Sequence, residues 1–154
     1  QVTLYHKMIE WGADIIFGGH PHVVEPSEVV TQNGQKKFII YSMGNFISNQ
    51  RIETMDGVEN KKWTERGVLM DVTVEKSKKE TIIKDVQAHP SWVSRVAKGT
   101  YSPEGYPLYT YQTYILEDFI EGGKYRDKLD QATKERIDTA YQEMKEHVNL
   151  KWDE

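Results

Sequence analysis

The chain opens with a helical hydrophobic period that changes to a strand-like run. Apolar side chains recur three and four positions apart at Val2, Tyr5, Met8 and Ile9. This spacing predicts an amphipathic helix over residues 1–11, which Gly12 is placed to end. The apolar run that follows predicts a short buried strand over residues 14–17. A helix that leads directly into a buried strand is typical of an α/β protein.

Two later regions predict β-hairpins, and the end of the chain predicts a helix. Residues 28–31 and 37–42 form the strands of the first hairpin, with the turn signal Asn33-Gly34 between them. Residues 68–75 alternate between apolar and polar positions and residues 81–88 do so less cleanly, so residues 76–79 are predicted to be the second turn. A helix over residues 131–148 has its apolar face at Ile137, Ala140, Tyr141, Met144 and Val148.

Two segments show no sustained period. Residues 43–67 are polar, and we predict a long loop there, which in a compact domain is often functional. Residues 89–123 have a weak pattern, with five tyrosines between residues 101 and 114. Aromatic packing in strand-like segments is the favoured interpretation of these tyrosines, and stacking on a sugar or peptide ligand is the alternative.

Composition narrows the class of protein without indicating a function. The 154 residues carry a formal net charge of -4 with the charges interspersed, so no basic stripe points to nucleic acid. The lack of cysteine excludes disulfides, thiolate zinc sites and cysteine nucleophiles. No apolar run approaches the ~20 residues that cross a bilayer. The length predicts a single domain segment over residues 1–154, with a core over residues 1–95 and an extension with a helix over residues 96–154.

The clearest candidates for chemistry are the two histidines in Gly18-Gly19-His20-Pro21-His22. Alternate residues at a strand end face the same side, and the proline restricts the backbone, so His20 and His22 are expected to project together. Neutral imidazole suits zinc, iron, manganese, cobalt or nickel, but a catalytic metal usually has at least three protein ligands. The candidates for further ligands are His6, His89, Asp14, Glu25 and Glu28. The alternative is that backbone hydrogen bonds satisfy both histidines on a rigid turn.

A second motif, Tyr41-Ser42-Met43-Gly44-Asn45-Phe46, follows the strand of the first hairpin. The strand ends at Ser42, Gly44 allows a turn, and Asn45 offers an amide at the strand's end. Strand ends of α/β sheets are favoured ligand sites. The alternative is ordinary turn chemistry, in which the asparagine bonds its own backbone.

Together the two motifs resemble the CapA family of bacterial capsule synthesis proteins. The resemblance is carried by residues 12–46, from the strand through Gly-His-Pro-His to the strand that ends in Tyr-Ser-Met-Gly-Asn-Phe. The family is linked to poly-gamma-glutamate production, and its domain is related to the calcineurin-like metallophosphoesterases. The resemblance implies an α/β fold, the C-terminal half of a metallophosphatase-like layered α/β/β/α sandwich with a mixed sheet. Gly19 stands where many members have histidine, and Glu25 where glutamine is common.

The resemblance also implies a site. In the related phosphoesterases the Gly-His-x-His segment gives one histidine to each of two metal ions. Carried over, His20 and His22 would bind different ions of a divalent transition metal pair, Mn, Fe or Zn, in the complete domain. Asn45, Ser42 and Glu25 would line the pocket. Because the family's other ligands lie in the first half of the domain, this chain is expected to be inactive alone and to need the missing N-terminal half or a second copy as a partner.

The implied function is a component of capsule or poly-gamma-glutamate biosynthesis at the bacterial cell surface, anchored to the membrane through an upstream segment. Polyglutamate or another capsule polymer is the expected partner, and nucleic acid is not. Three alternatives stay open. A metal-dependent hydrolase of a phosphoester or gamma-glutamyl bond would hold its metal tightly. A non-catalytic polymer-binding or assembly protein would not need one, and an inactive structural fragment would expose apolar surface.

Overall fold

The first sheet carries the N-terminal half of the chain and follows the hydrophobic pattern. In the computed structural model, which describes residues 1–147, helix α1 spans Val2–Glu10 and strand β1 spans Ile15–Phe17. Strand β2 spans Ser27–Gln32 and β3 spans Gln35–Ile40. The strand order is β1–β3–β2, with β1 parallel and β2 antiparallel to β3. The sheet is therefore mixed, and the predicted α/β class is confirmed.

The turn and the central strand of this sheet form where the sequence predicts them. Asn33 and Gly34 join β2 to β3 with φ angles of 52° and 77°, the left-handed pair that a two-residue hairpin turn requires. The last three residues of β3 are fully buried, because α1 covers one face of the sheet and the main core covers the other. Ile39 packs with Ile9 of α1, whereas Phe38 contacts the main core.

The second sheet is antiparallel and larger. Strand β4 spans Arg66–Lys76, β5 spans Thr81–Tyr101 and β6 spans Pro107–Ile115, in the order β4–β5–β6. A single bridge, Gly44 to Gly67, joins this sheet to the segment that follows β3, and a second bridge joins Met43 of that segment to Val24. The second motif therefore runs between the two sheets.

The second hairpin is longer than predicted. β5 continues for 13 residues beyond the predicted end at Ala88, and β6 is a strand that the weak pattern over residues 89–123 did not predict. Tyr109 and Tyr111 lie on β6, in agreement with the strand-like interpretation, and Tyr114 is buried against Trp92. The predicted loop over residues 43–67 is largely irregular, with a 3₁₀ helix over Lys61–Glu65 at its end.

Helix α2, Gln131–His147, closes the main core. Its residues Ile137, Ala140 and Met144 are fully buried, as the helical period predicts, and Val148 lies outside the described residues. The main core takes residues from both sides of residue 95, and the division of the domain there stays a prediction, as does the four-layer sandwich. None of the helices within residues 1–147 is long and apolar enough to cross a membrane.

Candidate functional site

The histidine turn does not continue β1 as an extended strand. His20 has a φ of 107° and His22 a φ of 62°, both in the left-handed region that residues with a Cβ seldom adopt. Alternation along a strand is therefore the wrong reason to expect the two side chains to project together. Both residues are exposed, and the surrounding contacts must hold the turn in this strained shape.

Gly18 anchors the turn because only a residue without a side chain fits there. Its N–H donates to the carbonyl of Ile40 (2.8 Å), and its carbonyl accepts from the N–H of Met43 (3.1 Å). A Cβ at this position would lie 2.1 Å from the Tyr41 carbonyl oxygen. Gly19 has no such constraint, since a Cβ there would meet no heavy atom within 4 Å. The histidine turn is thus fixed to the second motif at Gly18.

Asn45 joins the two motifs through the His22 ring. Its Oδ1 lies 2.8 Å from Nδ1 of His22, and its Nδ2 donates to the carbonyls of Thr64 (2.9 Å) and His22 (3.3 Å). The two carbonyls require the amide nitrogen on their side, so the amide oxygen faces the imidazole. Nδ1 of His22 is then the donor, and Nε2 carries the free lone pair. A partner that fixes the tautomer in this way is typical of histidines that bind metal.

The other two predicted pocket residues lie beneath this contact or beside it. Ser42 is fully buried, and its hydroxyl accepts the N–H of Gly44 (3.2 Å), so it shapes the turn that presents Asn45. Gly44 adopts a φ of 69°, as that turn requires. Glu25 is half-buried, and its backbone N–H donates to the Ser42 carbonyl (3.0 Å). Their roles in a pocket stay predictions.

Four of the five candidate further ligands have side-chain partners away from the histidine turn. Two of them, His6 and Glu28, contact each other (2.7 Å), and His89 contacts Glu117 (2.6 Å). Asp14 pairs with Lys37. Within residues 1–147 no three histidine, cysteine, aspartate or glutamate side chains group as a metal site would need. The described residues therefore do not complete a metal site, and a metal-binding role of His20 and His22 stays a prediction.

Sequence reasoning missed the polar cluster that supports Asn45. Glu65, with no exposed surface, accepts hydrogen bonds from the Ile52 N–H (2.9 Å), Trp92 Nε1 (2.9 Å) and Arg136 Nη2 (2.6 Å). Its neighbours in sequence hold Asn45, whose Nδ2 donates to the carbonyl of Thr64 and whose N–H donates to the carbonyl of Arg66. A charged residue in a polar stretch gives no sequence signal of burial, so only the structure places it.

The C-terminal end of helix α2 contacts the histidine turn and the segment around Glu65. His147 Nε2 donates to the Val24 carbonyl (3.0 Å), and its ring stacks on Trp63 with centroids 4.4 Å apart. Glu143 accepts from Lys62 (2.8 Å) and Arg66 (2.7 Å). The C-terminal helix therefore braces both the end of the histidine turn and the segment that holds Asn45.

Acid should weaken the ion pairs that Glu53 forms with Arg51 and with Arg136 of helix α2. Burial works to raise the pKa of Glu53, but hydrogen bonds from Arg51 and Arg136 outweigh it and lower the pKa to about 2. The stabilisation from this carboxylate is then present above its ordinary value of 4.5 and is lost as pH falls toward 2. Because Glu53 is half-exposed, we expect a loss of only about 0.2–1 kcal/mol. Urea unfolding of the wild type and of Glu53→Gln between pH 4.5 and about 2 measures this loss. If the stability of the two proteins falls in parallel with pH, Glu53 is not the group responsible.

The comparisons with known proteins fall on the segment that contains both motifs. Residues 1–50 match the family described as bacterial capsule synthesis protein PGA_cap. Over 50 residues the chain is 52% identical to the PGA biosynthesis protein CapA of Bacillus subtilis (strain 168) and 44% identical to the capsule biosynthesis protein CapA of Bacillus anthracis. Each match covers 32% of this chain, but only 12% and 11% of the respective relative. No solved structure gives a significant match. The similarity to the bacterial capsule synthesis family therefore rests on residues 1–50, the segment that holds both motifs.

Proposed function

We propose that this chain supplies two histidine ligands to a metal site in a protein of bacterial capsule biosynthesis. The observation that carries the proposal is the contact between His22 Nδ1 and Asn45 Oδ1 (2.8 Å), which joins the two family motifs and leaves Nε2 of His22 free for a ligand. A relative with 52% identity over the matched residues is named for PGA biosynthesis. Poly-gamma-glutamate or a similar capsule polymer is the expected product, and the cell envelope the expected location.

The metal would be one or two divalent transition ions, Mn, Fe or Zn. Such ions polarise a phosphoryl or carboxyl oxygen and activate water at neutral pH. This chain's part is to hold imidazole in the correct tautomer: Asn45 fixes the His22 ring, and Thr64 and Arg66 hold Asn45. Ser42 and Glu25 would shape the pocket beside it. A phosphoester and a gamma-glutamyl bond are both substrates that this chemistry suits.

The remaining ligands would come from another polypeptide segment, and the structure offers a surface for it. β1 and β4 are edge strands of their sheets within the described residues. An apolar cleft of about 350 Å³ lies between them, beside the second motif; its lining includes Phe17, Phe46 and Leu69, each about half exposed. The start of β4 is bridged to the second motif at Gly67. Strand addition is therefore favoured along β1 and the later part of β4, where exposed apolar side chains flank the edge. We infer that the N-terminal half of the domain docks here; pairing between two copies is the competing outcome.

The metal role can be measured in the isolated chain. We expect long-range ¹⁵N NMR at about pH 8, where ordinary imidazole is neutral, to show His22 protonated on Nδ1. Zinc titration should shift the Nε2 resonances of His20 and His22. Asn45→Ala should mix the His22 tautomers and weaken zinc binding by about 10–100-fold.

The control is His89→Ala, which removes a histidine paired with a carboxylate outside the turn. This variant should bind zinc like the wild type. An Nε2-protonated His22, or zinc binding that survives both His20→Ala and His22→Ala, would disprove the metal role.

A non-catalytic assembly role is the second candidate, favoured by the incomplete donor set within residues 1–147. The two candidates separate in the full protein in its host. A metal-dependent role requires that His20→Ala or His22→Ala abolish capsular polymer at unchanged protein level. An assembly role predicts normal polymer in both variants.

A further inference from the structure

Three carbonyl groups in and just after the histidine turn accept hydrogen bonds from side chains of three different segments. Two of them, the carbonyls of His22 and Val24, lie toward its end and are held by Asn45 and by the last residue of helix α2. The third bond holds the start of the turn. Nε2 of Gln1, the residue that precedes α1, donates to the carbonyl of Gly19 (3.1 Å). The turn is therefore supported from the start of α1 as well as from the second motif.

The Gln1 amide also joins the two motifs to each other. Its Nε2 donates to the carbonyl of Tyr41 (2.9 Å), which begins the second motif, and to the hydroxyl of Tyr5 (3.1 Å). Carbonyl oxygens can only accept, so the amide nitrogen and not its oxygen must face Gly19 and Tyr41. The nitrogen carries two hydrogens for three acceptors, and one hydrogen is therefore shared. Gln1 thus makes a second link between the motifs, separate from the link through Asn45.

The start of α1 holds the Gln1 amide in this place. The Tyr5 N–H donates to the Gln1 carbonyl (3.0 Å), so the backbone of Gln1 is fixed by the first turn of the helix. The Tyr5 ring in turn stacks on the Tyr41 ring, with centroids 5.6 Å apart and planes within 5° of parallel. Helix α1 is therefore docked on the end of β3 at the point where the glutamine reaches the histidine turn.

His20 depends on this support more than His22 does. The His22 ring is held directly by Asn45 Oδ1 (2.8 Å), whereas the His20 ring has no hydrogen-bond partner within residues 1–147. The direction of the His20 side chain is therefore set by its backbone, which has a φ of 107°. The Gly19 carbonyl and the His20 N–H belong to the same planar peptide group. A hydrogen bond that holds this carbonyl consequently fixes the peptide plane from which His20 projects.

We propose that Gln1 is a positioning residue for His20; this role rests on the proposed function, in which His20 is a metal ligand. Gln1 acts on the backbone of His20, and Asn45 acts on the ring of His22, so the two histidines have separate supports. Loss of the Gln1 amide weakens metal binding through His20 and leaves the tautomer of His22 unchanged.

The test uses the whole chain with a methionine ahead of Gln1, so that the glutamine does not cyclise, and the variant Gln1→Leu, which removes the donor and keeps an uncharged side chain. Without metal, the ¹⁵N order parameter of the His20 amide should fall from about 0.85 to below about 0.6. The Kd for zinc should rise about tenfold, the low end of the effect of residues that orient metal ligands, because Gln1 is exposed. The His22 ring should stay protonated on Nδ1.

Gln131→Leu is the matched control. Gln131 begins α2 and donates to the Glu135 side chain four residues on (2.9 Å), as Gln1 donates to Tyr5, but it makes no bond to the histidine turn. This variant should keep the wild-type order parameter at His20 and the wild-type affinity for zinc. A rigid His20 amide in Gln1→Leu, or zinc binding as tight as in the wild type, would overturn the proposal.

Failure of the proposed function gives a different result. Zinc that shifts neither histidine in the wild type would disprove the metal role, whereas the order parameter measured without metal still decides whether Gln1 holds His20. Mixed His22 tautomers in Gln1→Leu would overturn the separation of the two supports.

Discussion

Gly18→Ala is expected to unfold the histidine turn and to lower the stability of the whole chain. The added methyl would lie 2.1 Å from the Tyr41 carbonyl oxygen and 2.7 Å from the Tyr5 hydroxyl oxygen. The carbonyl belongs to the backbone and cannot rotate away, so the end of β1 must move from β3. We expect a loss of about 3 kcal/mol in the free energy of unfolding, the upper range for overpacking, measured by urea denaturation.

Gly19→Ala is the matched control for this prediction. The two glycines are adjacent, but a Cβ on Gly19 would meet no heavy atom within 4 Å. We expect a stability change within about 0.5 kcal/mol, as for an ordinary surface substitution. Zinc shifts at His20 and His22 should persist in Gly19→Ala and disappear in Gly18→Ala. Equal destabilisation by the two variants would show that lost backbone flexibility, and not a steric clash of the added Cβ, accounts for the effect of replacing these glycines.

The sequence predicts the first sheet well because its signals are local. Asn33-Gly34 specifies its turn by backbone conformation alone, and α1 and α2 repeat their apolar residues at the helical period. The second half of β5 was missed for a physical reason. Residues 91–94 are buried on both faces and residues 96–101 are exposed on both, so neither stretch alternates. Period-two reasoning has no signal there.

The site was predictable only in part. The histidine turn and the Asn45 motif were found, but their contact joins residues 23 apart, and no local pattern specifies it. Strand alternation gave the wrong geometry, because His20 and His22 adopt positive φ values. Glu65 lies in a polar segment whose composition is typical of a solvated loop. Its burial is a property of the tertiary structure, where Arg136 from a distant helix comes to meet it.

Glu65 is the residue on which the polar cluster depends. It has no exposed surface and accepts three hydrogen bonds, from a backbone N–H, a tryptophan and an arginine, while Arg51 and Arg66 approach to 3.5 Å. Two of the Arg66 nitrogens, Nε and Nη1, are buried without a hydrogen-bond partner within residues 1–147, so Glu65 shares the compensation of this guanidinium with Glu143. Removal of the carboxylate would leave the buried Trp92 Nε1 without its acceptor, and it would leave Arg51, Arg66 and Arg136 with only the more exposed Glu53 or Glu143 as carboxylate partner.

Glu65→Ala is therefore expected to lower the free energy of unfolding by about 3–5 kcal/mol, the range for breaking one side of a buried ion pair. Urea denaturation measures this loss. Glu53→Ala is the matched control, because Glu53 contacts the same Arg51 and Arg136 but is half-exposed, and its loss should stay below about 1 kcal/mol. Similar losses in both variants would disprove the role of burial. Because Thr64 and Arg66 hold Asn45, Glu65→Ala should also mix the His22 tautomers in the ¹⁵N spectrum, whereas Glu53→Ala should not.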